Sequence, residues 1–403
     1  MCSVGDDDFE NDLQKVMPVI KNVILSETCN KCRARPPLVV LRSKDFYCKD
    51  CFLTGTTHKF RALLGKSRLI RPNDIVLVHH QIGHPSTALL HFLRSALDLS
   101  TPKKLQFKPV ILFIDNQYHL TVKERLDILT AVEQEVNSFE FNLYFISFAK
   151  YIANPDSIEE LITTHDLTIS ENDKDELDSL VKTKCSLTNK NDIKTLFQRQ
   201  LLLDVARHLK CKFVFTPDIS IDIASQLLSN VSLGRGSHIS VDTGFCDDRD
   251  EIVKILKPLR LFDMKELALY NKFNKREPLC VRQPEINPYS SIQDLMKTFV
   301  NNLQSNFPAT VTTIIKTGDK LTVEQTGLQI CTLCKNVLSK ATPQLRAEDS
   351  TNFSHLISTQ IPDQSYSREE RYLSLLDTFE KEEYGNKDLC YACYKISNHM
   401  MGY

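Results

Sequence analysis

Long hydrophobic runs are missing from this 403-residue chain. No apolar stretch approaches the roughly 18 residues that a membrane-spanning helix needs. The opening segment MCSVGDDDFENDLQ is acidic and has no apolar centre, so it does not read as an export signal. A soluble cytoplasmic protein with no membrane attachment is therefore expected. An overall excess of one charge is also missing, the formal net charge being −1. No internal repeat is present beyond recurring cysteine pairs, and glycine is scarce, at 11 residues.

What is present is unevenly placed. The composition, 42% hydrophobic and 25% charged, is that of an ordinary globular protein, and the length allows two or three structural units. Between Cys29 and Arg71 there are eleven Lys/Arg against two acids, whereas residues 156–192 hold ten acids and four lysines. One end of the molecule is thus suited to an anionic partner.

Continuous apolar runs at 75–79, 109–114, 141–148 and 212–216 predict buried parallel strands. Helical periodicity at 86–97, 121–136, 193–210 and 219–231 separates them. This alternation predicts a doubly wound α/β fold with helices on both faces and ligands at the carboxyl ends of the strands. A polar insertion is expected over 153–192, and further helices over 291–305 and in SREERYLSLLDTFEKEEY. The expected organisation is an N-terminal metal knuckle with a basic segment (1–72), an α/β domain (73–305) and a C-terminal cysteine-pair region (306–403).

Eight of the thirteen cysteines form four C-x-x-C pairs. Cys29, Cys32, Cys48 and Cys51 follow C-x2-C-x15-C-x2-C. Two intervening residues let both thiolates of a pair reach one ion, and four thiolates fill a tetrahedral zinc, so structural zinc is expected. Unrelated buried cysteines are the plain alternative. Cys331 and Cys334 are separated from Cys390 and Cys393 by 55 residues. They suit a second, zinc-ribbon-like site, because loop-closure entropy grows slowly with length; a redox dithiol and an iron–sulfur cluster remain alternatives.

The order of motifs carries a resemblance. A cysteine knuckle is followed by HKFRALLGK (58–66), a strand and loop at 75–87, VILFID (110–115), LGRGSHISVDTGFCDDR (233–249) and LKPLRLFDMKELALYNKF (256–273). In this the chain resembles the cytoplasmic tRNA 2-thiolation proteins of the PP-loop ATP pyrophosphatase superfamily, closest to their second, degenerate subunit, over most of its length. The resemblance implies a PP-loop fold. It also implies a heterodimer with the catalytic subunit, cytoplasmic tRNA 2-thiolation protein 1. The complex would replace the C2 oxygen of the wobble uridine with sulfur in tRNAs for lysine, glutamate and glutamine, using sulfur from a ubiquitin-related carrier.

Active relatives carry S-G-G-x-D-S after the first strand, where glycines and a helix N-terminus hold pyrophosphate. Here those positions fall on His80, Gln81, Ile82, Gly83, His84 and Pro85. A one-residue slide recovers Gly83 and Ser86 but puts Pro85, which has no N–H, at the aspartate. A second family motif, T-G-H-N-x-D-D, falls on TPDISID (216–222), matching only Thr216 and Asp222. The expectation is no catalytic residue and no ATP in this chain, with structural zinc as the cofactor. Lys59, Arg61, Lys66, Arg68, Arg71 and Arg235 are the candidate RNA contacts. Each feature has a plain reading: the histidines as strand-end capping rather than metal ligands, Asp115 as an N-cap, Arg235 paired with an acid such as Asp242, the basic segment as a solvated face. The alternatives for the whole chain are an active thiolase with a variant ATP site, and a zinc-dependent interaction adaptor.

Overall fold

A computed structural model of the chain describes residues 28–42, 45–100, 104–164, 185–281, 287–321, 329–338 and 388–397, with isolated positions at 167, 169, 170, 173, 351, 354 and 355. The predicted helix over SREERYLSLLDTFEKEEY lies outside the described residues.

Strands made only of apolar residues need cover on both faces, and the structure supplies it. β3 (Ile75–His80), β4 (Lys108–Asp115), β5 (Asn142–Ser147), β6 (Phe213–Phe215) and β8 (Lys254–Leu256) pair in parallel, and β7 (Cys246–Asp247) closes one edge antiparallel to β8. The order is β5-β4-β3-β6-β8-β7. Alternation of side chains along each strand divides the core in two. Val76, Val78, Ile111, Phe113, Phe213 and Phe215 pack with Leu89 and Phe92 of α2 (His84–Leu97) and Val132 of α3 (Val122–Asn137). Leu77, Leu112, Ile114, Val214 and Ile255 face the opposite way, against Phe148 and Tyr151 of α4 (Phe148–Ala153), α5 (Ile158–Leu161) and Leu201 to Ala206 of α6 (Leu187–His208). The doubly wound arrangement expected from the sequence is therefore the observed one.

Capping sets the helix starts. Thr121 and Glu124 form a reciprocal capping box at α3, and Ser186 accepts from the Asn189 N–H at α6. The second cap places the start of α6 at Leu187, inside the stretch expected to be insertion. Its first turns, LTNKND, lack the apolar stripe that marks a helix in sequence. The insertion is tied down elsewhere: Thr163 bridges to Phe145 at the sheet edge.

Before the sheet, β1 (Val39–Leu41) and β2 (Asp45–Tyr47) form an antiparallel hairpin that leads into α1 (Lys49–Ser67). Phe52, Phe60 and Leu64 bury one face of α1 in the same core as α2 and α9 (Met264–Phe273). Phe60 stacks on Phe92 at 4.9 Å and Phe52 meets Phe273 edge-on at 5.8 Å. Such rings contribute about 1.5–3 kcal/mol each through burial. After the sheet's switch point come α7 (Ser220–Ser232), the short α8 (Ile239–Thr243), α10 (Ile292–Asn306) and α11 (Pro308–Gly318). Ile223, Ala224, Val300, Val311 and Ile315 make a satellite core among them. The last described helix is α12 (Tyr391–Ser397).

Candidate functional site

The first cysteine cluster is closed by local backbone. The Cys29 N–H donates to the Arg35 carbonyl and the Asn30 N–H to the Phe46 carbonyl, both at 2.8 Å, which folds the first pair onto the hairpin. Arg33 adopts a left-handed φ of 53° directly after Cys32, tightening the turn. Cys48 caps α1 and Cys51 sits in its first turn. All four ligand atoms lie within 4.8 Å of one another, and the Cys32 and Cys48 sulfurs are 3.9 Å apart. Burial pushes the Cys29 thiol up, but the N–H groups of Cys32, Cys48 and Lys31 directed at its sulfur outweigh this and hold it at about 6. The contact with Cys48 pushes Cys51 the other way, to about 12.

The second cluster repeats this plan with distant halves. Lys335 has φ 59° after Cys334, as Arg33 does after Cys32, and Cys393 lies on α12 as Cys51 lies on α1. The Thr332 N–H donates to the Asp388 carbonyl at 2.9 Å and the Cys390 N–H points to the Cys331 sulfur at 3.3 Å, joining the two segments. All four sulfurs lie within 4.8 Å, with Cys334 and Cys390 at 3.8 Å. Contacts among the four sulfurs push Cys331 down and Cys393 up. Each tetrad could hold a metal ion. Among the described residues these are the two groups of three or more candidate ligands.

The loop after β3 has the placement of an anion site, and its polar groups are engaged with one another. Gly83 starts α2 with φ 123°, and Pro85 sits in the first turn. The Gln81 N–H, which would face a ligand in a phosphate cradle, donates instead to Ser86 Oγ at 2.8 Å. A carboxylate also occupies the neighbourhood: Glu135 of α3 accepts from Thr87 Oγ1 at 2.5 Å and lies 3.4 Å from His80 Nε2. Burial pushes Glu135 up, but His80 and Thr87 outweigh this and hold it below the ordinary range. Thus an internal anion sits beside a helix start that would otherwise attract one. The histidines do not converge: His79 contacts Gln81 at 3.5 Å, His80 faces Glu135, and His84 contacts Asn271 at 3.4 Å. Burial in the sheet pushes His79 down to about 4.

Neighbouring strand ends are equally self-satisfied. Thr216 donates to Asp218 at 2.6 Å, and Asp222 accepts from the Ile219 N–H at 3.2 Å as a local cap. Asp115 is neither free nor an N-cap. It is 2% exposed and receives Arg125 at 2.5 Å, while the same guanidinium takes Asp173 at 2.7 Å.

The six candidate RNA contacts separate in the structure. Lys66, Arg68 and Arg71 are exposed, and Arg61 is half-buried. Lys59 and Arg235 are instead engaged inside the fold. Lys59 pairs with the buried Glu266 at 2.8 Å and lies 4.2 Å from the centre of the Phe262 ring. Arg235 is buried against an acid, Asp192, at 3.0 Å. Spacing placed both in basic motifs but gave no sign of these acids, which arrive from remote helices. Glu135 and Arg125 were missed for the same reason, since each sits on an amphipathic helix where a charge ordinarily faces water.

The parallel sheet, the strand-end loop leading into α2 and the switch point beside it define a fold of PP-loop ATPase type. The chain is similar to the U34-tRNA thiolase NcsA from Methanococcus maripaludis, solved with its [4Fe-4S] cluster. The TM-score is 0.57 at 18% identity, covering 78% of this chain and 97% of that one. The model of the family Cytoplasmic tRNA 2-thiolation protein 2 matches residues 291–395. Full-length relatives of that name agree with it. The Aedes aegypti protein is 30% identical over 92% of this chain and 81% of its own length. The Drosophila virilis protein is 30% identical over 98% of each. The chain belongs to the cytoplasmic tRNA 2-thiolation protein 2 family, which places it in tRNA 2-thiolation. Among the described residues, no helix is long and apolar enough to cross a membrane.

Proposed function

We propose that this chain is the non-catalytic subunit of the cytosolic tRNA 2-thiolation complex. It scaffolds a catalytic PP-loop partner, cytoplasmic tRNA 2-thiolation protein 1, and contributes tRNA-binding surface. The partner binds ATP, adenylates the C2 oxygen of the wobble uridine in tRNAs for lysine, glutamate and glutamine, and accepts sulfur from the ubiquitin-related carrier. The observation that carries this division of labour is the Glu135 carboxylate lodged between His80 and Thr87. A phosphate there would meet a buried like charge, a proline without an N–H and a Gln81 N–H already spent on Ser86.

Zinc is the metal this reading assigns to both tetrads. Four sulfurs at about 2.3 Å from one tetrahedral ion lie roughly 3.8 Å apart, against 3.9 and 3.8 Å for the pairs quoted above and at most 4.8 Å within either tetrad. A four-iron cluster gives each thiolate its own iron and spreads the sulfurs farther. The tRNA surface runs over Arg61, Lys66, Arg68 and Arg71, with Lys59 and Arg235 serving internal structure.

The test is to purify the chain alone and with its partner. The complex should thiolate tRNA, while the chain alone should neither bind ATP at micromolar concentration nor thiolate. ATP binding and thiolation by the isolated chain would refute the assignment. Elemental analysis should find two zinc ions per chain, and an iron charge-transfer band would refute zinc.

A further inference from the structure

A metal centre whose ligands lie 55 residues apart pays for its assembly in chain entropy unless something else holds the halves. The N-terminal tetrad is closed by its own hairpin. The C-terminal tetrad instead rests against the segment 233–249, which contributes no sulfur ligand.

Each half has its own anchor there. Arg249 grips Asp247 of β7 in bidentate fashion, Nε to Oδ1 at 2.9 Å and Nη2 to Oδ2 at 2.6 Å, and Nη2 also reaches Asp242 at 2.8 Å. Its remaining nitrogen, Nη1, points to the Cys334 carbonyl at 3.5 Å. Asp247 is fixed from behind by Arg199 of α6 at 2.8 Å. The planar fork sets the guanidinium's direction, so the knuckle of Cys331 and Cys334 is held to the sheet edge at a defined angle. The other half meets Gly234, whose φ is 75°. A Cβ at this position would stand 2.9 Å from the ring of Tyr391, the residue after Cys390. Arg235 follows, locked to Asp192 of α6 at 3.0 Å. Leu196 of α6 and Leu333 both pack against the tetrad cysteines, which completes the seat.

We propose that Gly234, Arg235 and Arg249 form the cradle that brings the two halves of the C-terminal metal centre together, making them positioning residues for metal retention at Cys331, Cys334, Cys390 and Cys393. The metal part of this inference rests on the zinc reading above. The cradle itself does not, because its contacts are made by protein groups. The cradle also gives the LGRG and DDR motifs a structural purpose that nucleotide binding does not supply.

The experiment compares the full chain with the variants R249Q, R249K and G234A. Under chelator challenge, wild type should release its two ions at different rates. R249Q and G234A should lose the C-terminal ion about 10–100-fold faster, the usual effect of removing an outer-shell partner. The N-terminal ion should be unaffected, with alkylation mapping showing which cysteines become reactive. R249K keeps the charge but not the fork, so it should behave like R249Q. Hydrogen exchange supplies a readout independent of metal: R249Q should quicken exchange over 329–338 and leave 29–52 unchanged, with or without chelator. If R249Q unfolds the chain, G234A carries the same comparison over 388–397. Exchange and metal release equal to wild type in both R249Q and G234A would overturn the cradle. Fewer than two ions in wild type, with the exchange difference intact, would overturn the zinc reading alone.

Discussion

Neutralising Arg61, Lys66, Arg68 and Arg71 to glutamine should weaken tRNA binding in a way that salt reveals. Each cation that meets a phosphate releases counterions, and the slope of log K against log salt changes by roughly 0.7–0.9 per contact. With three of these exposed and Arg61 half-buried, the slope of the reconstituted complex should flatten by about 3 to 4 if all four meet phosphates. Over a fourfold salt range this is a difference of roughly a hundredfold in affinity. The structure also supplies the control. Lys59, held by Glu266 at 2.8 Å with 30% of its side chain exposed, should behave differently from its basic neighbours. Lys59→Gln leaves a 7% exposed carboxylate without its cation and should lower stability by on the order of 2 kcal/mol, with the salt slope unchanged. Equilibrium binding to tRNA between about 50 and 200 mM salt reads the slope, and denaturant unfolding reads the stability. An unchanged slope in the fourfold variant would refute the RNA surface. A slope change with Lys59→Gln alone would refute the separation of internal from external cations.

Three further outcomes follow from buried groups. Arg125→Met strands Asp115 and Asp173, which are 2% and 0% exposed, and should cost about 3–5 kcal/mol in denaturant unfolding. Adding Asp115→Asn and Asp173→Asn should restore most of that loss, and no restoration would refute the ion-pair account. His79 titrates near 6.5 unfolded and about 4 folded, so its contribution is complete above pH 6.5 and is lost as pH falls toward 4. It amounts to at most about 3 kcal/mol. Unfolding measured across that window should be flatter in His79→Asn than in wild type, and parallel curves would contradict the burial argument. Glu135→Gln keeps the shape of the blocked loop and removes its charge. Calorimetric titration should still find no ATP binding, because Pro85 and the Gln81–Ser86 contact remain; micromolar binding would show that Glu135 alone excludes nucleotide.

Legibility differed by element. β3, β4 and β5 came through clearly because a strand buried on both faces must be continuously apolar, and their observed limits differ from the expected ones by a residue or so. β7 and β8 have only two and three residues and escape any period. The start of α6 was misplaced because its cap is a single Ser186 and its first turns are polar. Among the cations, local sequence could show that charge was concentrated but not which side chains an acid from another helix had already taken.

The residues alone determined the layer architecture, through periodicity, and the erosion of the nucleotide loop, through the loss of glycine and the gain of proline at positions where backbone N–H groups are required. They also marked the eight cysteines as candidate ligands, since two-residue spacing is a local property. The tertiary structure decided how the distant halves of the C-terminal tetrad are brought together, where Glu135 and Arg125 direct their charges, and which basic residues remain outside. Those outcomes depend on contacts between residues ten to more than two hundred positions apart, as with Arg125 and Asp115 and with Lys59 and Glu266. Such pairings are set by how helices pack on the sheet, and periodicity along one segment carries no record of the segment it will meet.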